Sequence, residues 1–147
     1  MAVLKKLGAN SYRFSIAWPR VIPQGGKDDP VNEAGLQFYD DLIDELLAAG
    51  IEPFVVSAKT GLNTDIRLFI SALPPRECMN KLILSWDLPL ALQKRYEGWL
   101  SRDVIPDYCR YAKLCFDRYG DRVKNWLTFN EPWCVAVLGN GIGQFAP

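Results

Sequence analysis

Two polar side chains near the C-terminus are the residues best suited to acid–base chemistry. Asn130 and Glu131 stand within residues 128–132 (TFNEP), at the end of a run that predicts a strand. A glutamate in a semi-enclosed site has its pKa raised by desolvation or by a second carboxylate, so it can donate a proton near neutral pH. Pro132 favours an extended backbone at Glu131, which directs the carboxylate away from the strand. The alternative is that both residues only form a turn.

The amino-acid composition excludes several other chemistries. The chain contains no histidine, which rules out Ser-His-Asp and Cys-His mechanisms and any zinc site that needs imidazole. Its four cysteines, at positions 78, 109, 115 and 134, form no C-x-x-C pair, and we interpret them as reduced, mostly buried thiols. Carboxylates, tyrosines, lysines and thiols remain as catalytic groups, and we expect neither a metal nor a cofactor.

Charge and hydropathy narrow the range of partners. The chain carries 17 basic and 17 acidic side chains, so its zero net charge gives no electrostatic attraction to nucleic acid or to an anionic membrane. No apolar run approaches the roughly 20 residues that span a bilayer. The first residues also lack the pattern of a secretory signal. We therefore expect a cytoplasmic protein with neither nucleic-acid nor membrane partners.

Strand and helix signals alternate along the chain, which is typical of an α/β fold with parallel strands. Strands are predicted at residues 10–18, 51–56 and 124–131. In the first of them side chains alternate between two faces, so Arg13 lies with small residues, opposite an aromatic face that ends at Trp18.

Two amphipathic helices are predicted between these strands. The first begins after Asn32 as its N-cap and ends at Gly50, and the second runs from near Asp103 to Gly120. Each carries its large apolar side chains on one stripe, as a helix packed against a sheet does.

Residues 57–84 do not fit this alternation. These 28 residues carry one aromatic side chain, Phe69, although tryptophan and tyrosine are frequent on both sides. A connection of this length without regular structure is uncommon inside a compact α/β unit. We interpret 57–84 as an atypical inserted segment, either translated non-coding sequence or a gene-model error. The alternative is a genuine lid loop.

Three motifs, in order, resemble glycoside hydrolase family 1, the β-glucosidase family. Residues 12–20 (YRFSIAWPR) are similar to its second barrel strand, and 128–132 to its acid/base motif. Residues 86–89 (WDLP), with 96–100 (YEGWL), are similar to the segment after its third strand. The resemblance implies that residues 1–147 are a fragment of one catalytic (β/α)8 TIM barrel, holding about three strands, the second to the fourth, with their helices.

The resemblance also implies roles for individual residues. Glu131 would be the general acid/base, and Asn130 would hydrogen-bond the sugar 2-hydroxyl. Arg13 would point into the barrel beside the nucleophilic carboxylate, and Trp86 and Trp133 would wall the sugar site. Each role has a plainer alternative: Arg13 on a solvated strand face, and the tryptophans as core residues.

The chain departs from the family pattern in two places that bear on function. No motif matches the family's glutamate nucleophile, and Ser85 stands where the family has a sugar-binding histidine. We therefore expect a retaining β-glucosidase-type hydrolase of small-molecule β-glycosides, present here as a truncated and inactive form that self-associates through open barrel edges. The alternatives are a non-catalytic sugar-binding or regulatory fragment, and another barrel glycosidase.

Overall fold

Helices and strands alternate along the chain. The computed structural model describes residues 1–57, 87–127 and 142. In chain order the elements are α1 (Ala2–Lys6), β1 (Ser11–Ile16), α2 (Trp18–Val21), α3 (Glu33–Ala48), β2 (Glu52–Ser57), α4 (Leu90–Tyr96), a 3₁₀ turn (Gly98–Leu100), α5 (Val104–Tyr119) and β3 (Asn125–Leu127).

The three strands form one parallel sheet in the order β1-β2-β3. β1 pairs with β2 from Ser11 opposite Glu52 to Ile16 opposite Ser57, and β2 pairs with β3 from Phe54 opposite Asn125. Parallel neighbours joined through helices are the arrangement that the alternating pattern predicts. The three predicted strands are therefore confirmed, although the part of the third strand from residue 128 to 131 lies outside the described residues.

The first strand ends two residues before its predicted end. Trp18 was expected on the strand, but it is the first residue of α2, with Pro19 in the first turn. Proline is favoured there because its fixed φ suits a helix and its missing N–H has no intrahelical partner to lose. Trp18 is fully buried in the core. The predicted position of Trp18 on a strand face is therefore wrong, and its burial follows from the turn into α2.

Helix α3 largely follows its sequence pattern. Asn32 is the N-cap, but its side chain donates to the carbonyl oxygen of Arg20 at 2.9 Å and makes no bond to the helix itself. Gly50 has φ +71°, the left-handed form expected just after a helix. On the apolar stripe Leu36 and Ile43 are buried, whereas Leu47 is 39% exposed.

Aromatic side chains form the core between the sheet and the helices. The Trp18 ring stacks on Tyr111 with centroids 5.0 Å apart and meets Tyr108 edge-on at 5.8 Å. The Tyr111 hydroxyl donates to the carbonyl of Ile16 at 2.7 Å, and the Tyr119 hydroxyl donates to that of Leu36 at 2.9 Å. Buried tyrosines of this kind fill volume while their hydroxyls satisfy backbone groups.

A charged network joins α3 to the end of α5. Asp40 is only 7% exposed and accepts hydrogen bonds from Arg122 and, at 2.8 Å, from Arg118. Arg122 also pairs with the exposed Asp44 at 2.7 Å. We call Asp40, Asp44, Arg118 and Arg122 the helix clamp. Because apolar side chains already pack these helices together, the clamp adds polar contacts to a formed interface.

Candidate functional site

Arg13 lies on the sheet face that the sequence predicts. Side chains on β1 alternate, with Ser11, Arg13 and Ser15 exposed while Ile16 is fully buried against the helices. Arg13 pairs in register with Phe54, and Ser15 pairs with Val56. A cavity of about 260 Å³ opens on this face, lined by Arg13, Phe14, Ser15 and Val56. The structure thus places a guanidinium and a hydroxyl at a concave surface near the carboxyl ends of two parallel strands.

The other four predicted site residues lie outside the described part of the chain: Trp86, Asn130, Glu131 and Trp133. Two described residues lie close to them in sequence. Leu127 is the last residue of β3, and Asp87 follows Trp86 directly. The roles of these four residues, and the contact of Arg13 with a sugar, stay predictions.

The segment that begins at Asp87 is packed against the loop that follows α2. Pro89 and Leu92 are buried beneath this loop. A Cβ on Gly25 would lie 2.7 Å from Leu92 Cγ and 2.8 Å from Pro89 Cγ, and Gly25 has φ +81°. Only glycine allows so close an approach in this backbone form. The loop after β1 therefore lies directly on the segment after β2.

An ion pair holds the same two segments together. Arg95, on α4, donates from its two terminal nitrogens to the Asp29 carboxylate at 2.7 and 3.2 Å. Asp29 Oδ2 also accepts the backbone N–H of Gly26 at 2.7 Å. Hydrogen bonding to the Arg95 guanidinium lowers the pKa of Asp29 below its usual range, so the carboxylate stays charged. A two-pronged pair of this kind fixes orientation as well as distance.

Two side chains from α5 complete this cluster. Asp107 is 7% exposed and accepts the backbone N–H of Lys27 at 2.6 Å and the hydroxyl of Tyr96 at 2.8 Å. Arg110 donates to the carbonyl oxygens of Gly26 and Asp29 at 2.9 and 2.7 Å. Burial, together with the Asp107 carboxylate, raises the pKa of Tyr96, which keeps its hydroxyl a donor. We call Asp29, Arg95, Asp107 and Arg110 the loop lock.

The loop lock is absent from the set of residues predicted from sequence, although one of its members carries a visible signal. Asp107 lies on the apolar stripe of α5, between Val104 and Tyr111 at helical spacing. A carboxylate on a stripe that faces the core needs buried partners, and here those partners come from the loop after α2 and from α4. Asp29 and Arg95 carry no such signal, because their segments have no periodicity that would place them together.

Within the described ranges 1–57 and 87–127, no group of three or more histidine, cysteine, aspartate or glutamate side chains is arranged to hold a metal ion. No helix in these ranges has the length and apolar character required to cross a membrane.

Sequence comparison relates the chain to a family of glycosidases. The family model described as glycosyl hydrolase family 1 matches residues 1–65 and 66–147. Beta-glucosidase 1B of Phanerodontia chrysosporium is 51% identical over 146 residues, which are 99% of this chain and 22% of that protein. Raucaffricine-O-beta-D-glucosidase of Rauvolfia serpentina is 42% identical over 145 residues, again 99% of this chain and 22% of the relative.

Solved structures lead to the same family. A double mutant of the beta-glucosidase from Trichoderma harzianum matches with a TM-score of 0.78 at 44% identity, over 99% of this chain and 26% of that one. The GH1 beta-glucosidase from Humicola insolens in complex with glucose matches with a TM-score of 0.78 at 42% identity, over 99% and 25%. The chain therefore spans about a quarter of the length of these relatives, and its three parallel strands with their helices are part of the (β/α)8 barrel. The chain belongs to glycosyl hydrolase family 1.

Proposed function

We propose that the protein is a retaining β-glucosidase-type hydrolase that acts on small-molecule β-glycosides. Glu131 protonates the leaving glycosidic oxygen and then activates water, and Asn130 hydrogen-bonds the sugar 2-hydroxyl, a contact that strengthens in the transition state. Arg13 lies beside the nucleophilic carboxylate, and Trp86 and Trp133 pack against the apolar faces of the sugar ring. Family membership and the names of the relatives support this assignment.

The placement of Arg13 is the observation that carries the proposal. Its side chain projects from the exposed face of β1 into the cavity that Ser15 and Val56 also line. β3 lies parallel to β2 and ends at Leu127, three residues before Asn130 and four before Glu131. In a (β/α)8 barrel, catalytic residues come from the carboxyl ends of several strands, so we expect the 128–132 motif to continue from β3 toward the same edge of the sheet as Arg13.

Hydrolysis with retention needs a second carboxylate about 5–5.5 Å from the first. No residue of this chain matches the family's nucleophile motif. The proposed reaction therefore requires barrel units beyond the three strands described, and we expect the 147-residue chain by itself to show no turnover.

Grafting tests the proposed function directly. In this chimera the matched region of the Phanerodontia chrysosporium beta-glucosidase 1B is replaced by residues 1–56 and 85–147 of this chain. The relative supplies the rest of the barrel. We call this protein the reconstituted barrel. We expect it to hydrolyse an aryl β-glucoside, and Glu131→Gln to abolish that activity while leaving the protein folded. A folded but inactive reconstituted barrel would overturn the proposal. Glucose binding without turnover would then favour the sugar-binding alternative.

The reconstituted barrel also tests whether residue 85 contacts the sugar. Serine is too short to replace the imidazole that the family places there for a sugar hydroxyl, so we expect Ser85→His to lower KM for the aryl glucoside. An unchanged KM would mean that residue 85 does not reach the sugar.

We also propose that residues 57–84 are not native barrel sequence. The composition of this segment differs from both neighbours, and the two stretches matched by the family model meet inside it, at residues 65 and 66. Sequencing the transcript across the codons for residues 50–90 tests this. A message that joins Val56 closely to the Trp86 segment supports the proposal, and a message that keeps all 28 codons identifies the segment as a real loop.

We propose a cytoplasmic location because of the state of one cysteine. Cys115 is a buried thiol in the structure, and reduced thiols are usual where the redox environment is reducing. Imaging of a fluorescent fusion would test it, and export to the medium would contradict it.

A further inference from the structure

We propose that Glu52 binds a lysine or arginine side chain from a barrel strand outside this chain, and that this ion pair lies in the floor of the complete barrel. Glu52 is the first residue of β2, at the amino end of the sheet. The residues proposed for catalysis belong to the opposite, carboxyl end of the strands. The ion pair therefore follows from family membership and from the described sheet, and it is independent of the proposed reaction.

The register of the sheet places Glu52 on the same face as Arg13. Arg13 pairs with Phe54, and Phe54 pairs with Asn125, so these three residues lie side by side on neighbouring strands. Side chains alternate between the two faces along a strand. Val55 is fully buried in the core with the helices, which leaves Phe54 on the other face. Glu52, two residues before Phe54, therefore lies on the face that points away from the helices.

A hydrogen bond to Asn125 holds the Glu52 carboxylate in place without balancing its charge. Asn125 Nδ2 donates to Glu52 Oε1 at 2.9 Å, across the pairing of β2 with β3. An ionised carboxylate has two oxygens that accept about four hydrogen bonds, and an amide brings no positive charge. Within residues 1–57 and 87–127, every ion pair is formed by a carboxylate other than Glu52. Glu52 is exposed in the described structure, so water can hydrate it there.

Closure of the barrel changes the surroundings of Glu52. The face of a barrel sheet that points away from the helices becomes the interior, which layers of side chains from all the strands fill. This chain spans about a quarter of its relatives, so most of those side chains belong to other parts of the barrel. Once they cover Glu52, its carboxylate loses water. A neutral hydrogen bond does not offset the loss of hydration of a charge, whereas a cation at hydrogen-bond distance does.

The cation has to come from the strands that complete the barrel. Residues 128–147, which continue from β3, contain no lysine or arginine. Residues 57–84 follow the carboxyl end of β2 and are left out of the reconstituted barrel. Arg13 shares the face with Glu52, but it lines the cavity with Ser15 and Val56, further toward the carboxyl ends of the strands. The partner of Glu52 is therefore a basic side chain that the remaining barrel strands project into the floor.

Urea unfolding of the reconstituted barrel tests this ion pair. Glu52→Gln keeps an acceptor for Asn125 but removes the charge and leaves the cation unpaired. We expect the ratio of unfolded to folded protein at a fixed urea concentration to rise about tenfold. In the 147-residue chain, where Glu52 is exposed, the same substitution should change this ratio by less than about twofold. Glu45→Gln removes an exposed glutamate from α3 and is the control in both proteins. Unfolding needs no turnover, so this result stands even if the reconstituted barrel is inactive and the proposed function fails.

Four results would overturn the proposal. Equal effects of Glu52→Gln and Glu45→Gln in the reconstituted barrel would show that Glu52 stays hydrated. A Glu52→Gln barrel more stable than its parent would show a buried carboxylate without a cation. Equal losses in the barrel and in the 147-residue chain would mean that Glu52 acts only through Asn125. A lower kcat per folded molecule of the Glu52→Gln barrel would identify the cation as Arg13 of this chain.

Discussion

The loop lock and the helix clamp use the same residue types for different purposes. Each contains two arginines and a buried aspartate and connects residues far apart in the chain: the Lys27 N–H donates to Asp107 80 residues away, and Arg118 donates to Asp40 78 residues away. In the clamp the partners are side chains of α3, of α5 and of Arg122 just after α5, and an apolar stripe and the Tyr119 hydroxyl already hold the two helices together. In the lock the partners of Asp107 and Arg110 include backbone groups of a loop.

This difference determines how much each carboxylate contributes to the stability of the fold. When a clamp residue is removed, the guanidinium that loses its partner is partly exposed and water can hydrate it. When a lock residue is removed, part-buried backbone groups of the loop lose their hydrogen-bond partners. The comparison therefore predicts that substitutions of the same chemical type lower the free energy of unfolding more in the lock than in the clamp.

Asp107→Leu should have the largest effect. Leucine offers no acceptor, so the Lys27 N–H and the Tyr96 hydroxyl both lose their partner, at a cost of roughly 3–4 kcal/mol in the free energy of unfolding. Urea unfolding of the 147-residue chain measures this cost. Asp117→Leu is the matched control, because Asp117 is an exposed carboxylate on the same helix. Equal effects at positions 107 and 117 would contradict the account of the lock.

Gly25→Ala should cause the second largest loss of stability. Its Cβ would meet Leu92 and Pro89 at 2.7 to 2.8 Å, and φ +81° adds backbone strain, so we expect a loss of about 2–3 kcal/mol. Gly50→Ala is the control, because Gly50 has φ +71° but no atom within 4 Å of the added Cβ. It should lose only about 1 kcal/mol to strain. Equal melting temperatures for the two variants would mean that the loop shifts to accommodate the added Cβ at position 25 without a further loss of stability.

The parts that the sequence predicts well are those with a local period. Alternation along β1 places Arg13 and Ile16 on opposite faces, and the 3.6-residue period of α3 identifies Leu36 and Ile43 as core. Gly50 signals the end of α3 because few other residues adopt a positive φ easily. Such signals depend only on neighbours in the chain.

The parts that sequence reasoning misses depend on contacts between distant segments. Trp18 leaves its predicted strand because Pro19 can begin a helix there, and burial of the ring against Tyr111 favours that turn. Asp29 and Arg95 lie 66 residues apart in segments without a regular period. Their pairing becomes visible only when the sheet brings the two loops to one edge. The catalytic roles of Asn130 and Glu131 come from family resemblance and stay predictions.

The pH dependence of the stability of Asp40→Asn tests the contribution of charge to the clamp. Burial raises the pKa of Asp40, but hydrogen bonds from Arg122 and Arg118 outweigh it and hold the pKa below its usual range. A lowered pKa stabilises the fold above the unfolded value of about 3.9 and loses this effect as pH falls through the folded value. At pH 7 we expect Asp40→Asn to cost about 1–2 kcal/mol. The gap between wild type and variant should close below about pH 4 in urea titrations.

A gap that persists at low pH would show that Asp40 acts through shape and neutral hydrogen bonds rather than through charge. The matched case in the lock is Asp107→Asn. There an amide oxygen still accepts the Lys27 N–H, so part of the stability should remain at every pH.

Asp44→Ala should have the smallest effect. Asp44 is 62% exposed, and its partner Arg122 keeps its bond to Asp40 when Asp44 is removed. Exposed pairs contribute about 0–0.5 kcal/mol and are screened by salt, so the variant should unfold within that margin of wild type. Unfolding at low and high salt measures it. A loss comparable to that of Asp40→Asn would mean that the clamp acts as one cooperative unit, and the contrast with the loop lock would then be one of degree.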